Sequence, residues 1–350
     1  MAKTIVGLDI GSTMLRAVEV ADAGKQRPQL RRYHEVPVPD GAVSRGEVLE
    51  PNTVATALRR LWSEGGFGSK HVVLGMGNQR VLARDLTVPK APMARIRESL
   101  PFQVQDMLPL PVAEALLDFY PVSEGMSESG PVVHGLLIAA VEEAVMGNIK
   151  AVQLAGLTPV EVDLIPFALD RALLARQQST GTVAIVDIGA HTTSVVIAAD
   201  GVPQFVRIIP TGSGDLTQTL ATRLEVPYEA AERVKRTLGL APTVSTPDEE
   251  RAVGIIYEVI NELLGSLRNT IGYYVNTRPA EVLSHLVLTG GGAQLPGLAD
   301  ALGEFTRLPV VAADPYPSVA LARSLHADDL RRRRSSLSVA LGLALGSVAA

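Results

Sequence analysis

One phrase, written twice, constrains this chain more than anything else in it. Residues 5–16 read IVGLDIGSTMLR and residues 183–193 read VAIVDIGAHTT, half a chain apart. Each is an apolar run, an aspartate, an apolar residue, a glycine and then small or hydroxyl residues. The apolar run predicts a buried strand, and the glycine predicts a tight turn into the next strand. Such a turn presents backbone amides and hydroxyls to an anion, and glycine lets the backbone come close to it. Gly11, Ser12 and Thr13 in the first copy, and Gly189, Thr192 and Thr193 in the second, are therefore candidate phosphate ligands. Asp9 and Asp187 stand where a carboxylate holds magnesium, through water, because that ion gives up its waters reluctantly. For one copy alone, an ordinary hairpin with Asp as a turn former is an equal reading. Two copies facing each other would grip a polyphosphate and its metal from both sides.

The length of 350 residues is natural for two domains. With 47% apolar and 20% charged residues the chain can bury a sizeable core, and its net charge of −5 argues against a general nucleic-acid binder. The absence of cysteine excludes disulfide scaffolds and thiolate zinc sites, and the six histidines show no metal-ligand spacing. The most apolar tract, 337–350, is too short to span a bilayer, and the N-terminus has no signal-peptide layout. The expectation is a cytoplasmic protein with no integral membrane segment and no nucleic-acid partner. Arg331 to Arg334, just before that tract, read either as a solvated face or as a contact for anionic lipid.

Strands are expected at 4–10, 14–20 and 29–38, a helix at 51–64, and strands at 71–77 and 81–88. A helix over 94–108 kinked at Pro101, a strand at 115–122, an exposed loop at 124–131, a strand at 132–140, a helix at 142–154 and a strand at 159–164 follow. That order suggests an inserted subdomain over 84–164. A helix at 166–178 leads into the second phrase, and strands at 192–199 and 203–209 come next. Helices are expected at 216–224, 228–238 and 248–275. A strand at 285–288 runs into Gly290, Gly291 and Gly292, where bare backbone can receive a flat base or ribose. The closing element is an apolar helix from Ser336. Both halves begin strand, turn, strand, strand, helix, which is duplication at the level of architecture. Neither a dinucleotide fingerprint nor a Walker A motif is present.

Together these residues resemble the actin, sugar-kinase and heat-shock-chaperone ATPase superfamily, over essentially the whole chain. The resemblance implies an α/β class, a duplicated actin-like (ribonuclease H-like) ATPase fold with an inserted α+β subdomain. It implies ATP and Mg2+ as cofactors, with Asp9 and Asp187 at the metal. It places Arg16 where actins carry a phosphate-binding lysine, and Gly212 and Gly214 beside the terminal phosphates. The stretch 232–238 resembles the chaperone helix that grips adenosine, so Glu232, Lys235 and Arg236 would contact ribose and base; a solvated charged face is the alternative. Domain I is then 1–83 with 165–183 and 325–350, the insert is 84–164, and domain II, with the adenosine-binding part, is 184–324.

The insert narrows the resemblance to the FtsA and PilM families. Leu100-Pro101-Phe102 through Leu108-Pro109-Leu110-Pro111, and Ala155-Gly156-Leu157-Thr158-Pro159 before Pro166-Phe167-Ala168-Leu169, are similar to the PilM pattern. This implies a cytoplasmic, ATP-binding component of a type IV pilus assembly, peripheral at the inner face of the cytoplasmic membrane. Its partner would be the N-terminal cytoplasmic tail of a PilN-like inner-membrane protein, held between the insert and domain I. Pilus motor ATPases and self-association are further partners the resemblance raises. An FtsA-like filament protein and a sugar-kinase-like phosphotransferase are the rival readings; no catalytic base for a sugar is evident.

Two features depart from the superfamily pattern. Ala190 and His191 replace glycines in the second phrase, and His191 either donates to phosphate or caps the turn. Ungapped counting places Asp170 where actins orient the attacking water; it is shorter than the usual Gln or Glu, and a helix surface position is the equal alternative. Slow hydrolysis, with nucleotide acting as a conformational ligand, is the expectation.

Overall fold

The first phrase makes the centre of a sheet. In the computed structural model, which describes residues 4–346, β1 (Thr4–Ile10) and β2 (Met14–Ala21) are almost continuously buried. That pattern suits strands covered on both faces. β3 (Gln29–Pro37) pairs antiparallel with β2. A short hairpin, β4 (Val43–Ser44) and β5 (Glu47–Val48), follows. α1 (Pro51–Gly65) starts with Pro in its first turn and ends on Gly66 at φ 61°, and β6 (His71–Met76) then pairs parallel with β1.

The chain then leaves the sheet. β7 (Val81–Pro89), α2 (Met93–Gln103), β8 (Ala115–Ser127) and β9 (Gly130–Val141) form a separate antiparallel sheet of order β7-β9-β8. α2 lies on it through Ile96 and Leu100, packed with Val104 against Phe119, Val133 and Leu137. The expected loop at 124–131 is instead a hairpin: Glu124 pairs with Val133 and Met126 with Pro131. The insert is also smaller than 84–164. α3 (Glu142–Leu154) packs Ala151 and Val152 against the Val54, Leu58 and Leu61 face of α1, and β10 (Thr158–Leu164) pairs parallel with β6. Both belong to domain I, so the insert proper is 81–141.

α4 (Ile165–Leu173) crosses to the second half. There β11 (Thr182–Ile188), β12 (Thr193–Ala199) and β13 (Val202–Ile209) form a meander. α5 (Ser213–Leu224), α6 (Tyr228–Leu238) and α7 (Pro247–Thr277) precede β14 (Leu283–Thr289), α8 (Leu298–Thr306) and β15 (Val310–Ala312). The two sheets read β10-β6-β1-β2-β3-β16 and β13-β12-β11-β14-β15. With β16 (Ala320–Leu321) set aside they are the same sheet, antiparallel at β1/β2 and β11/β12, parallel at β1/β6 and β11/β14. β16 pairs with β3, so domain I resumes before the expected 325. α9 (Ala327–Ala344) ends the described chain; residues 1–3 and 347–350 of the expected domain I lie outside it.

α4 and α9 form a layer shared by the halves. Leu169, Ala172, Leu341 and Leu343 pack in one core with Val18 and Val73 of the first sheet and Ile185 and Val196 of the second. The layer closes tightly because glycine stands at its contacts: a methyl group on Gly7 would overlap the Ala340 carbonyl oxygen, and one on Gly342 the Ala168 carbonyl oxygen.

Candidate functional site

The duplication holds to the residue. Asp9 pairs with Arg16 and Ile10 with Leu15 across the first turn; Asp187 pairs with Ser194 and Ile188 with Thr193 across the second. Each turn is closed by its glycine amide, Gly11 N to Met14 O at 3.1 Å and Gly189 N to Thr192 O at 2.9 Å. Both loops thus begin at the same point of equivalent strands.

The two aspartates meet in one electrostatic cluster. Asp187 lies at the base of the space between the loops, where burial and then the charge of Asp9 push its carboxyl up to about 7 against the pull of Arg16. Burial likewise raises Asp9 above the usual carboxylate range, although Arg16 Nη1 lies 3.4 Å from its Oδ2. Arg16 reaches Glu35 at 3.5 Å, and Arg333 of α9 closes on the same Glu35. One buried and one half-buried carboxylate, both raised, with the single guanidinium of Arg16 beside them and shared with Glu35, suit a divalent ion. Among the described residues no three His, Cys, Asp or Glu side chains form a metal site by themselves. An ion here would need water and phosphate oxygens to complete its shell, which is how magnesium commonly binds.

The remaining loops of domain II converge on Asp187. Gly290, at φ 88°, leaves no room for a side chain: a methyl group would lie 2.5 Å from Asp187 Oδ1. Gly292 is similarly closed by Ile188 and Ser213, whereas Gly291 faces open space. Gly212 packs on the Gly189–Ala190 backbone, and Ser213 N and Gly214 N donate to Gly189 O and Ala190 O at 2.9 and 2.7 Å. The start of α5 is thereby pinned against the second loop.

Other expected residues are placed differently. Thr193 is fully buried and donates its hydroxyl to Thr211 O at 2.7 Å, so it is a strut rather than a phosphate ligand; Thr192 stays partly open. Lys235, expected at ribose or base, is only 7% exposed and binds Ser213 O, Thr217 Oγ1 and Glu232. Glu232 accepts from Thr217 and pairs with Arg236, so this trio fastens α6 to α5; Arg236 alone is well exposed. His191 Nδ1 lies 2.9 Å from Asp215 Oδ1. Asp215 also accepts from Gly212 N at 2.9 Å; burial alone would raise its carboxyl, but these bonds and Arg45 hold it below the ordinary value.

Asp170 lies beside the insert. It sits in the middle of α4, 4% exposed, with Oδ1 unpaired and its carboxyl raised to about 7 by burial against the nearby Arg171. Its neighbourhood is Tyr120 of the insert. The first turn of α4 holds Ile165 and Pro166. Of the run 331–334, Arg331 pairs with Asp328, Arg332 with Asp329 and Arg333 with Glu35, while Arg334 is exposed. Sequence reasoning missed Glu35, Asp215 as an anchored carboxylate, and Arg45. Only the Arg45-Gly46 turn between two short polar-apolar pairs hinted at the last.

Comparison with known proteins agrees with this geometry. The structure of a PilM-PilN type IV pilus biogenesis complex matches with a TM-score of 0.85 at 30% identity, over 97% of each chain. MreB 5 of Spiroplasma citri, solved with AMPPNP, matches at 0.55 and 11% identity over 98% of this chain and 95% of that one, and establishes the actin-like fold only. Cell division protein FtsA of Bacillus subtilis is 22% identical over 89% of this chain and 78% of its own length. FtsA of Neisseria meningitidis is 27% identical over 59% of this chain and about half (52%) of its own. No helix among the described residues is long and apolar enough to cross a membrane. The profile described as "Type IV pilus assembly protein PilM" matches residues 7–348, and the chain belongs to that family.

Proposed function

We propose that the chain binds Mg-ATP between its two sheets and, in that state, holds the N-terminal cytoplasmic tail of a PilN-like inner-membrane protein. The observation that carries the nucleotide reading is the equivalent placement of Asp9 and Asp187, both with raised carboxyls. A bound magnesium ion supplies the positive charge these carboxylates lack. The chain's own part is to orient: Gly11 and Gly189 hold the turns, Arg16 offers a guanidinium, and Gly290–Gly292 leave bare backbone beside Asp187. In this reading nucleotide serves as a conformational ligand more than as a fuel. Calorimetric titration with ATP, with magnesium and with EDTA, tests this; equal binding in both refutes the carboxylate role.

The hydroxyls separate into two kinds. Thr193→Val leaves a buried carbonyl of Thr211 unpaired and lowers stability by about 1 kcal/mol, while nucleotide affinity changes less than about threefold. Thr192→Val weakens nucleotide about fivefold with little change in melting temperature, since one exposed neutral hydrogen bond contributes about 1 kcal/mol.

The tail reading is supported by the kinship with the PilM-PilN complex and by two free sheet edges at one junction. β8 is an edge of the insert sheet and β10 an edge of the domain I sheet. Tyr120 of β8 stacks at 4.6 Å on Phe167 of α4, the helix that directly follows β10. β10 leaves Val160 and Val162 exposed on alternate positions, as an edge awaiting an extended apolar peptide does. Val162→Asp is expected to weaken binding of a synthetic tail peptide at least tenfold in fluorescence anisotropy, with the melting temperature unchanged. Through that partner the protein sits at the membrane's inner face; fractionation with and without the partner checks this.

A further inference from the structure

The β4–β5 hairpin spans the cleft. Its tip, Arg45-Gly46, belongs to domain I, and Gly46 N donates to Ser12 Oγ of the first loop at 3.1 Å. The Arg45 guanidinium reaches domain II, donating to Pro210 O at 3.2 Å and to Asp215 Oδ1 at 3.3 Å. Asp215 is itself fixed by His191 and Gly212 N, beside the second loop. The Arg45 side chain thus touches the loop system of domain II while the backbone of its neighbour Gly46 touches that of domain I. Arg45 also holds φ 50°, a left-handed conformation that glycine or asparagine adopts with less strain. The turn would be better served by Asn, and strain kept at a cleft points to a role for the side chain.

We propose that Arg45 is a ligand of the terminal phosphate and the residue by which the site distinguishes ATP from ADP. A guanidinium carries five N–H donors, and the two bonds seen leave others free. It forms forked bonds with phosphate oxygens, so a triphosphate reaching the hairpin gains contacts that a shorter diphosphate does not. The hairpin is also anchored within domain I: Glu47 pairs with Arg80 at 2.9 Å, and Val48 N donates to the buried Asn148 of α3 at 3.3 Å.

This inference rests on the nucleotide reading above, and one experiment separates the two. Dissociation constants for Mg-ATP and Mg-ADP are measured by calorimetry on the full chain and on Arg45→Asn, which suits the turn, with Arg45→Lys alongside. Charge-assisted bonds set the expected scale. Arg45→Asn should weaken Mg-ATP by about tenfold to a hundredfold and Mg-ADP by less than threefold, with Arg45→Lys between. The rise in melting temperature on adding Mg-ATP should shrink in the same order, while that with Mg-ADP stays. Equal loss for both nucleotides, or no change in their ratio, overturns the role of Arg45 and leaves the cleft reading standing. Failure of the unaltered chain to bind either nucleotide overturns both.

Discussion

Replacing Asp187 by Asn is expected to make the nucleotide-free protein more stable at pH 8 and to weaken Mg-ATP binding about a hundredfold. The opposite signs follow from one fact, that the native carboxyl rises from an ordinary 3.8 to about 7. A carboxyl with a raised native value contributes stability that is full below 3.8 and is lost as pH climbs through 7. The ionised form at pH 8 is therefore a burden on the empty fold. The full shift corresponds to ~4 kcal/mol at 1.36 kcal/mol per pH unit, and solvent reaching the loops reduces it to about 1–3 kcal/mol. Thermal melts from pH 5 to 8 should show the native protein losing stability across the window while Asp187→Asn stays flatter, with a melting temperature a few degrees higher at pH 8. A variant less stable than the native chain at pH 8 would show that the carboxylate is structurally satisfied.

Gly342→Ala is expected to cause the largest loss of stability of any single methyl group. The added carbon would overlap the Ala168 carbonyl oxygen, which is backbone and cannot swing aside. α4 and α9 would have to separate, and with them the layer that Leu169, Ala172 and Leu341 share between the sheets. Overpacking of this kind costs ~3 kcal/mol, or on the order of 5–10 °C in melting temperature. Differential scanning fluorimetry checks it; a shift below about 2 °C would mean that the layer yields easily.

The paired phrase was legible because its signals are local. A buried strand ending in Asp-x-Gly writes both the turn and the carboxylate into a few consecutive residues, and Gly290–Gly292 do the same for the third loop. The insert boundary was not, because what assigns β10 is its parallel pairing with β6, not its own pattern. The burial of Asp170 was not legible either, because what encloses it is the insert, through Tyr120. Thr193 and Lys235 carry the residue types of ligands, yet neighbours distant in sequence, Thr211 and Ser213, claim their polar atoms. Arg45 meets Asp215 from the opposite half of the chain, and no periodicity records such a contact.

Co-crystals grown with ATP and manganese, imaged at the manganese absorption edge, test the central claim most directly. The account predicts one anomalous peak between Asp9 and Asp187, with the phosphates against Gly11 and Gly189. A peak elsewhere, or nucleotide bound with neither aspartate turned toward its metal, would contradict it.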